Sequence, residues 1–188
     1  PLPPPRRRMS RLLVSVCMIV KDEACRLDAT LAALVPHFDD IVVLDTGSAD
    51  DSPAIARRHG ARVFGFAWCD DFAAARNASL GHARHDWVLV VDADERLARI
   101  DADALAAAMQ AHPDSVGRVE RLNPIDEDGT TVTMRERIRR LFRRSRYRYA
   151  GAIHEQVVAC EGMTEPGPAF AAPLVLDHAG YRDEVLAA

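Results

Sequence analysis

Short apolar runs alternate with stretches of helical spacing along the first half of the chain. Leu12 to Val20 is rich in β-branched residues and reads as a buried strand. Glu23 to Val35 repeats Leu27, Leu31 and Leu34 at helical intervals, and Pro36 ends it. Ile41 to Leu44 is a second strand, running into Asp45-Thr46-Gly47-Ser48. Ser52-Pro53 has the look of a cap followed by a first-turn proline, opening a helix that Gly60 stops. Ala61 to Phe66 reads as a third strand, Phe72 to Ala83 as an alanine-rich helix, and Trp87 to Val91 as a fourth strand. The strands have no polar face, so the pattern predicts a mainly parallel sheet covered on both sides by helices.

After Leu97 the pattern changes. Asp101 to Ala111 predicts one more helix. Ser115 to Leu122 and Thr130 to Phe142 predict strands, joined through the turn-rich stretch from Asn123 to Gly129. Arginines crowd Arg135 to Arg148, Pro166-Gly167-Pro168 reads as a loop, and Leu174 to Leu176 predicts a last strand before Asp177-His178. No repeat or linker divides the chain. The expected organisation is a disordered leader over residues 1–10 and a single domain over 11–188, with halves meeting near residue 96.

Composition narrows the function classes. The chain has 188 residues, 48% hydrophobic and 28% charged, which suits one soluble globular domain. A net charge of -4 points away from nucleic acid. Every basic residue but Lys21 is Arg, as in GC-rich bacterial genomes. Cys17, Cys25, Cys69 and Cys160 have no CxxC spacing and are expected as reduced core thiols, consistent with a cytoplasmic protein. The N-terminal run of Arg followed by apolar residues ends on Lys21-Asp22-Glu23 rather than a cleavage site, and is too short to cross a bilayer.

The chemistry is expected where strands end. In parallel sheets of this kind ligands bind beyond the carboxyl ends of the strands. Three strand ends carry acids: Asp22-Glu23, Asp45 and Asp92-Ala93-Asp94, and all three are expected along one edge. Two carboxylates one residue apart can share Mg²⁺ or Mn²⁺ with a phosphate-bearing ligand. Capping of the next helix is the competing explanation for such acids.

Several stretches in order resemble the family-two GT-A glycosyltransferases. They are VSVCMIVKDE, VVLDTGSADDSPAIARRHGARV, WCDDFAAARNASLGHARHDWVLVVDADERL, LFRRSRYRYAGAIHEQV and DHAGY, spanning Leu12 to Tyr181. The later ones are similar to a subgroup of bacteriocin and tetratricopeptide-linked glycosyltransferases. The resemblance implies a Rossmann-like α/β/α sandwich of the GT-A type and metal-dependent, inverting transfer from a UDP-sugar. The acceptor, whether glycan, lipid-linked or peptide, is left open.

By position, the resemblance places Lys21, Asp22 and Glu23 beside the base and ribose of the donor. Asp45 would sit at the nucleobase and Arg76 at the nucleotide or its diphosphate. Asp92 would lie at the ribose or metal, Asp94 and His178 on the metal, Gly151 beside the donor sugar, and Glu155 as catalytic base. Competing explanations stay open. Asp45 could cap its turn, Arg76 could pair with Asp70 or Asp71, and His154 could pack or orient Glu155. His178 could be a loop histidine, and the arginine run could be a solvated face from which only Arg140 draws a functional vote. A sugar-1-phosphate nucleotidyltransferase is a weaker match, because the first loop lacks glycine. A non-catalytic nucleotide-sugar-binding module, or a site completed by a second copy in a homodimer, is the other alternative. The resemblance leaves association with the cytoplasmic face of the inner membrane open.

Overall fold

The computed structural model describes residues 12–127, 130–163 and 168–178. The predicted leader, the Pro166-Gly167 part of the expected loop and the end of the Asp177 to Tyr181 stretch lie outside these. Along the chain run β1 (Leu12–Val20), α1 (Ala24–Leu34), β2 (Phe38–Asp45), α2 (Ser52–Arg58), β3 (Arg62–Gly65), α3 (Phe72–Gly81) and β4 (Trp87–Val90). They are followed by β5 (Glu95–Ile100), α4 (Ala102–Ala111), β6 (Gly117–Glu127), β7 (Thr130–Arg143), β8 (Tyr147–Ala150), β9 (Gln156–Ala159) and β10 (Phe170–His178).

Eight strands form one mixed sheet in the order β3-β2-β1-β4-β7-β6-β10-β5, and β8-β9 form a separate hairpin. The β2-β3, β1-β2, β1-β4 and β6-β10 pairs are parallel, while β4-β7, β6-β7 and β5-β10 are antiparallel. The parallel half is buried on both faces, as its apolar runs require. On one face α1, α2 and α4 bury Leu27, Leu31, Leu34, Ile55 and Leu105 against Val14, Val16 and Met18. On the other, α3 and the β8-β9 hairpin bury Leu80, Tyr147, Tyr149 and Val157 against Cys17, Val88 and Phe142. The result is the expected three layers. Each fully buried leucine of α1 contributes about 1.5–3 kcal/mol relative to exposure.

Three expectations are revised. Ser52 is the first residue of α2 and not its cap; Asp51 precedes it, and the Ser52 hydroxyl instead accepts from the Glu23 amide at 2.8 Å. The expected turn beginning at Asn123 is strand: β6 pairs with β7 through Glu127↔Thr130, so the ladder overrides the local turn preference. Not all thiols are core. Cys17 is buried, and burial pushes its thiol up to about 12, whereas Cys25 and Cys69 are exposed.

Candidate active site

The three acidic strand ends lie side by side because β2, β1 and β4 are neighbours and parallel. The β1 end is built by the loop after β2. Asp22 takes a left-handed backbone, φ 53°, with its amide donating to Ser48 Oγ at 3.0 Å and its Oδ1 accepting from the Ala49 amide at 2.7 Å. Ser52 and Asp50 accept from the amides of Glu23 and Ala24, so the first turn of α1 is capped from another element. Lys21 and Asp22 are exposed, and Glu23 is half-buried. Burial raises the Glu23 carboxyl, Arg26 opposes this, and the nearby Asp94 adds to the rise. Asp45 Oδ1 accepts from the Ser48 amide at 3.1 Å, which is the turn-capping contact named as its alternative.

The acids after β4 answer the problem of a buried strand running into carboxylates. Glu95 has no solvent exposure, and its Oε2 accepts from the Asp92 amide at 2.9 Å, closing the turn. The Asp92 carboxylate lies between two guanidinium groups: Arg76 Nη1 donates to Oδ1 at 2.9 Å and Arg140 Nη2 to Oδ2 at 2.6 Å. Arg121 donates to Glu95 at 3.2 Å and to Glu136 at 2.7 Å, and Arg140 lies 3.5 Å from Glu95. Burial alone would raise the Asp92 carboxyl, but Arg140 and Arg76 outweigh it and hold it well below the carboxylate range. Burial keeps Glu95 raised despite Arg140. Arginine side chains therefore neutralise Asp92 and Glu95. Both oxygens of Asp92, expected at the ribose or metal, face guanidinium groups. Arg76 pairs with neither Asp70 nor Asp71; it is buried on α3 and aimed at the strand ends.

Asp94 faces differently. Its Oδ2 lies 3.1 Å from His178 Nε2, although 84 residues separate them. The antiparallel β5-β10 ladder brings them together, because His178 registers with Glu95. Burial would raise the Asp94 carboxyl, but the His178 contact brings it below its ordinary value; the same contact raises His178. The separation fits two adjacent ligands of an octahedral ion with bonds of about 2.1 Å, whose donor atoms lie about 3.0 Å apart. Among the described residues no group of three or more His, Cys, Asp or Glu gathers in this way. An ion here would take the rest of its shell from water and substrate oxygen, as Mg²⁺ and Mn²⁺ commonly do. Thr30 Oγ1 donates to the Ala93 carbonyl at 2.8 Å and anchors this loop to α1.

Glu155 reaches the site from the β8-β9 hairpin. Its Oε1 accepts from Arg76 Nε at 2.5 Å, so one guanidinium holds Glu155 and Asp92 together. The hairpin is fastened to α3. Asn77 exchanges two hydrogen bonds of 2.9 Å with the Tyr149 backbone, and the Phe72 amide donates to the Ala152 carbonyl at 3.0 Å. Its connecting loop turns at Gly151, φ 99°, a conformation that disfavours any side chain, and His154 also takes a positive φ. Arg76 stacks over Tyr149 at 5.5 Å.

Glu95, Arg121, Asn77 and Tyr149 carry no expected role, yet they hold the site. Glu95 was visible as the third acid of Asp92-Ala93-Asp94-Glu95. Nothing local signals Asn77, whose partner lies on another element.

Residues 15–163 match the family model described as Glycosyl transferase family 2. A stretch of 84 residues is 52% identical to a TPR repeat-containing protein of Synechococcus elongatus, covering 45% of this chain and 21% of that one. The SPbeta prophage-derived glycosyltransferase SunS of Bacillus subtilis is 26% identical over 148 residues, 74% of this chain and 33% of its own. Among solved structures, S. aureus TarS in complex with UDP superposes with a TM-score of 0.50 at 21% identity, covering 61% of this chain and 37% of that one. The chain thus spans well under half the length of each of these proteins. With a mixed sheet carrying its acids at the ends of β1, β2 and β4, and a family match covering most of its length, the chain belongs to glycosyl transferase family 2 and has the GT-A fold.

Proposed function

We propose that the chain transfers a sugar from a nucleoside diphosphate sugar, UDP-linked, to a hydroxyl-bearing acceptor, with inversion and with Mn²⁺ or Mg²⁺ bound. The observation that carries the reading is the Asp94–His178 pair, set beside the acidic ends of three parallel strands. The UDP named for TarS, which shares the fold, agrees with the choice of nucleotide. Asp94 and His178 hold the cation, which when bound stabilises negative charge on the departing diphosphate. Asp45 accepts from an N–H of the base, while Lys21, Asp22 and Glu23 shape the ribose side. Arg76 fixes the orientation of the Glu155 carboxylate. Glu155 accepts the acceptor's proton as its oxygen attacks the anomeric carbon. Gly151 lets the backbone pass close to the donor sugar. Asp92 positions Arg76 and Arg140 and does not itself bind the ion.

Titrating UDP by calorimetry with Mn²⁺, and again with excess chelator, tests this. Binding should weaken at least about tenfold without the ion, and Asp94→Asn should remove most of that difference. Equal affinity in both conditions sinks the metal role. Asp45→Asn keeps an oxygen for the Ser48 amide but loses the charge, so it separates turn capping from base recognition. A lost charge-assisted hydrogen bond should cost about 1.5–3 kcal/mol of UDP affinity. Slow metal-dependent release of UDP from UDP-sugars distinguishes a transferase from a module that only binds the nucleotide.

A further inference from the structure

A cleft of about 370 Å³ lies between the β6-β7 ladder and the β8-β9 hairpin, with Glu155 in its lining. Five arginines line it: Arg118, Arg121, Arg137, Arg139 and Arg140. Tyr149 and Glu155 line it as well. Arg121 and Arg140 are already matched by Glu95, Glu136 and Asp92. Among the described residues, Arg118, Arg137 and Arg139 have no ion-pair partner, and all three are exposed.

The backbone gathers these charges deliberately. The β6-β7 register slips between Gly117↔Leu141 and Arg118↔Arg139, leaving Arg140 as an extra residue in β7. Strict alternation would send Arg139 and Arg140 to opposite faces; the bulge lets both line one cleft. Arg118 then faces Arg139 directly across the ladder. Like charges in that position are destabilising, and a bound anion removes the penalty. A second feature points the same way. Tyr149 lines the cleft, and its hydroxyl is buried with no hydrogen-bond partner among the described residues. An unmatched buried hydroxyl is costly unless something enters to pair with it. Burial, only partly opposed by Arg140 and Arg76, keeps this phenol protonated, so it is a donor.

We propose that this cleft is the acceptor subsite and that it takes an acceptor bearing an oxyanion, phosphate or carboxylate, near the hydroxyl that is glycosylated. Arg118, Arg137 and Arg139 hold the anion, and Tyr149, which lines the cleft with Glu155, donates to it. This rests on the transferase reading for the word acceptor, but not for the anion site.

The experiment is calorimetry with three probes that share hydroxyl groups: glycerol 1-phosphate, glycerate and neutral glycerol. Both anions should bind more tightly than glycerol, and their order identifies phosphate or carboxylate. Arg139→Gln should weaken the tighter anion about tenfold, the combined change of Arg118, Arg137 and Arg139 to Gln should abolish measurable binding, and Tyr149→Phe, which keeps the ring, should weaken it severalfold. UDP with Mn²⁺ should still bind the arginine variants and should not displace the anion. Anions binding no better than glycerol, or binding untouched in Arg139→Gln, overturn the proposal. So does competitive displacement by UDP, which would assign the arginines to the donor diphosphate. If the anion binds through these arginines while UDP does not bind at all, the cleft stands and the nucleotide-sugar reading falls.

Discussion

Arg76 is the residue on which the site turns, because one guanidinium holds carboxylates from two distant parts of the chain. Its Nε serves Glu155 and its Nη1 serves Asp92, and the side chain is about nine-tenths buried. That fork cannot be reproduced by an ammonium group. Arg76→Lys should therefore fold while transfer to a verified acceptor falls, because Glu155 loses its fixed orientation. Arg76→Ala takes the guanidinium from Glu155 and leaves Asp92 with Arg140 alone, and should cost about 3 kcal/mol, read from urea unfolding. Glu155→Gln is the sharper probe. Its amide oxygen can still accept from Arg76, so UDP and metal binding should persist while transfer drops about 10²–10⁴-fold. Parental transfer in Glu155→Gln would place the base elsewhere. At this scale the sequence exposes which acids matter but not what they touch. Asp92 and Asp94 share one short motif, yet arginines hold the first and a histidine meets the second. That division depends on where β7 and β10 fall in the sheet, which no local pattern records.

Among the elements, the alternation from β1 to β4 is legible because each strand is apolar on both faces and each helix carries its own stripe. β5 escapes notice for the opposite reason: Glu95-Arg96-Leu97-Ala98-Arg99 is polar in character, and its strand state comes from pairing with β10 at the sheet edge. The β8-β9 hairpin is similarly short and is ordered by Asn77 and by the packing of Tyr147 and Tyr149. The joint between β2 and its neighbours offers a test. Asp40 on β2 is buried, accepting from Ser15 Oγ at 2.5 Å, the Arg84 amide at 2.9 Å and Arg62 at 2.7 Å. Burial alone would raise its carboxyl, but these donors hold it below its ordinary 3.8. A depressed folded value means the stabilisation is fully present above 3.8 and is lost as pH falls through the lower folded value. Asp40→Asn puts an amide nitrogen toward one set of donors, so it should destabilise by about 2–4 kcal/mol at neutral pH. The gap between the variant and the parent should close in acid, with urea midpoints at the two pH values as the measurement. A gap independent of pH would mean that Asp40 contributes by shape alone.

At the scale of the whole molecule the question is whether the half that ends near residue 96 and the half that follows it are one cooperative unit. The seam is narrow: β4 and β7 share only Trp87↔Arg143, Val88↔Phe142 and Leu89↔Leu141. Other links cross it. The chain leaves β4 for β5 at the opposite edge, where α1 also packs, and Arg76 and Arg140 tie α3 and β7 to the end of β4. These links predict a single unfolding transition. Phe142 is the place to challenge it, because it is fully buried in the seam and packs edge-on against Tyr147 and Tyr149, with ring centroids 6.3 and 5.8 Å away. Phe142→Ala should cost about 3–5 kcal/mol. In a Trp68→Phe background Trp87 fluorescence reports the seam and far-ultraviolet dichroism reports the helices, and their urea midpoints should move together. The same substitution removes the floor beneath β8, so the turn carrying Glu155 should lose its position while the end of β2 keeps Asp45 in place. UDP affinity should then persist while transfer falls. If the two probes separate instead, the halves unfold independently, and the seam is a boundary between units rather than the middle of one.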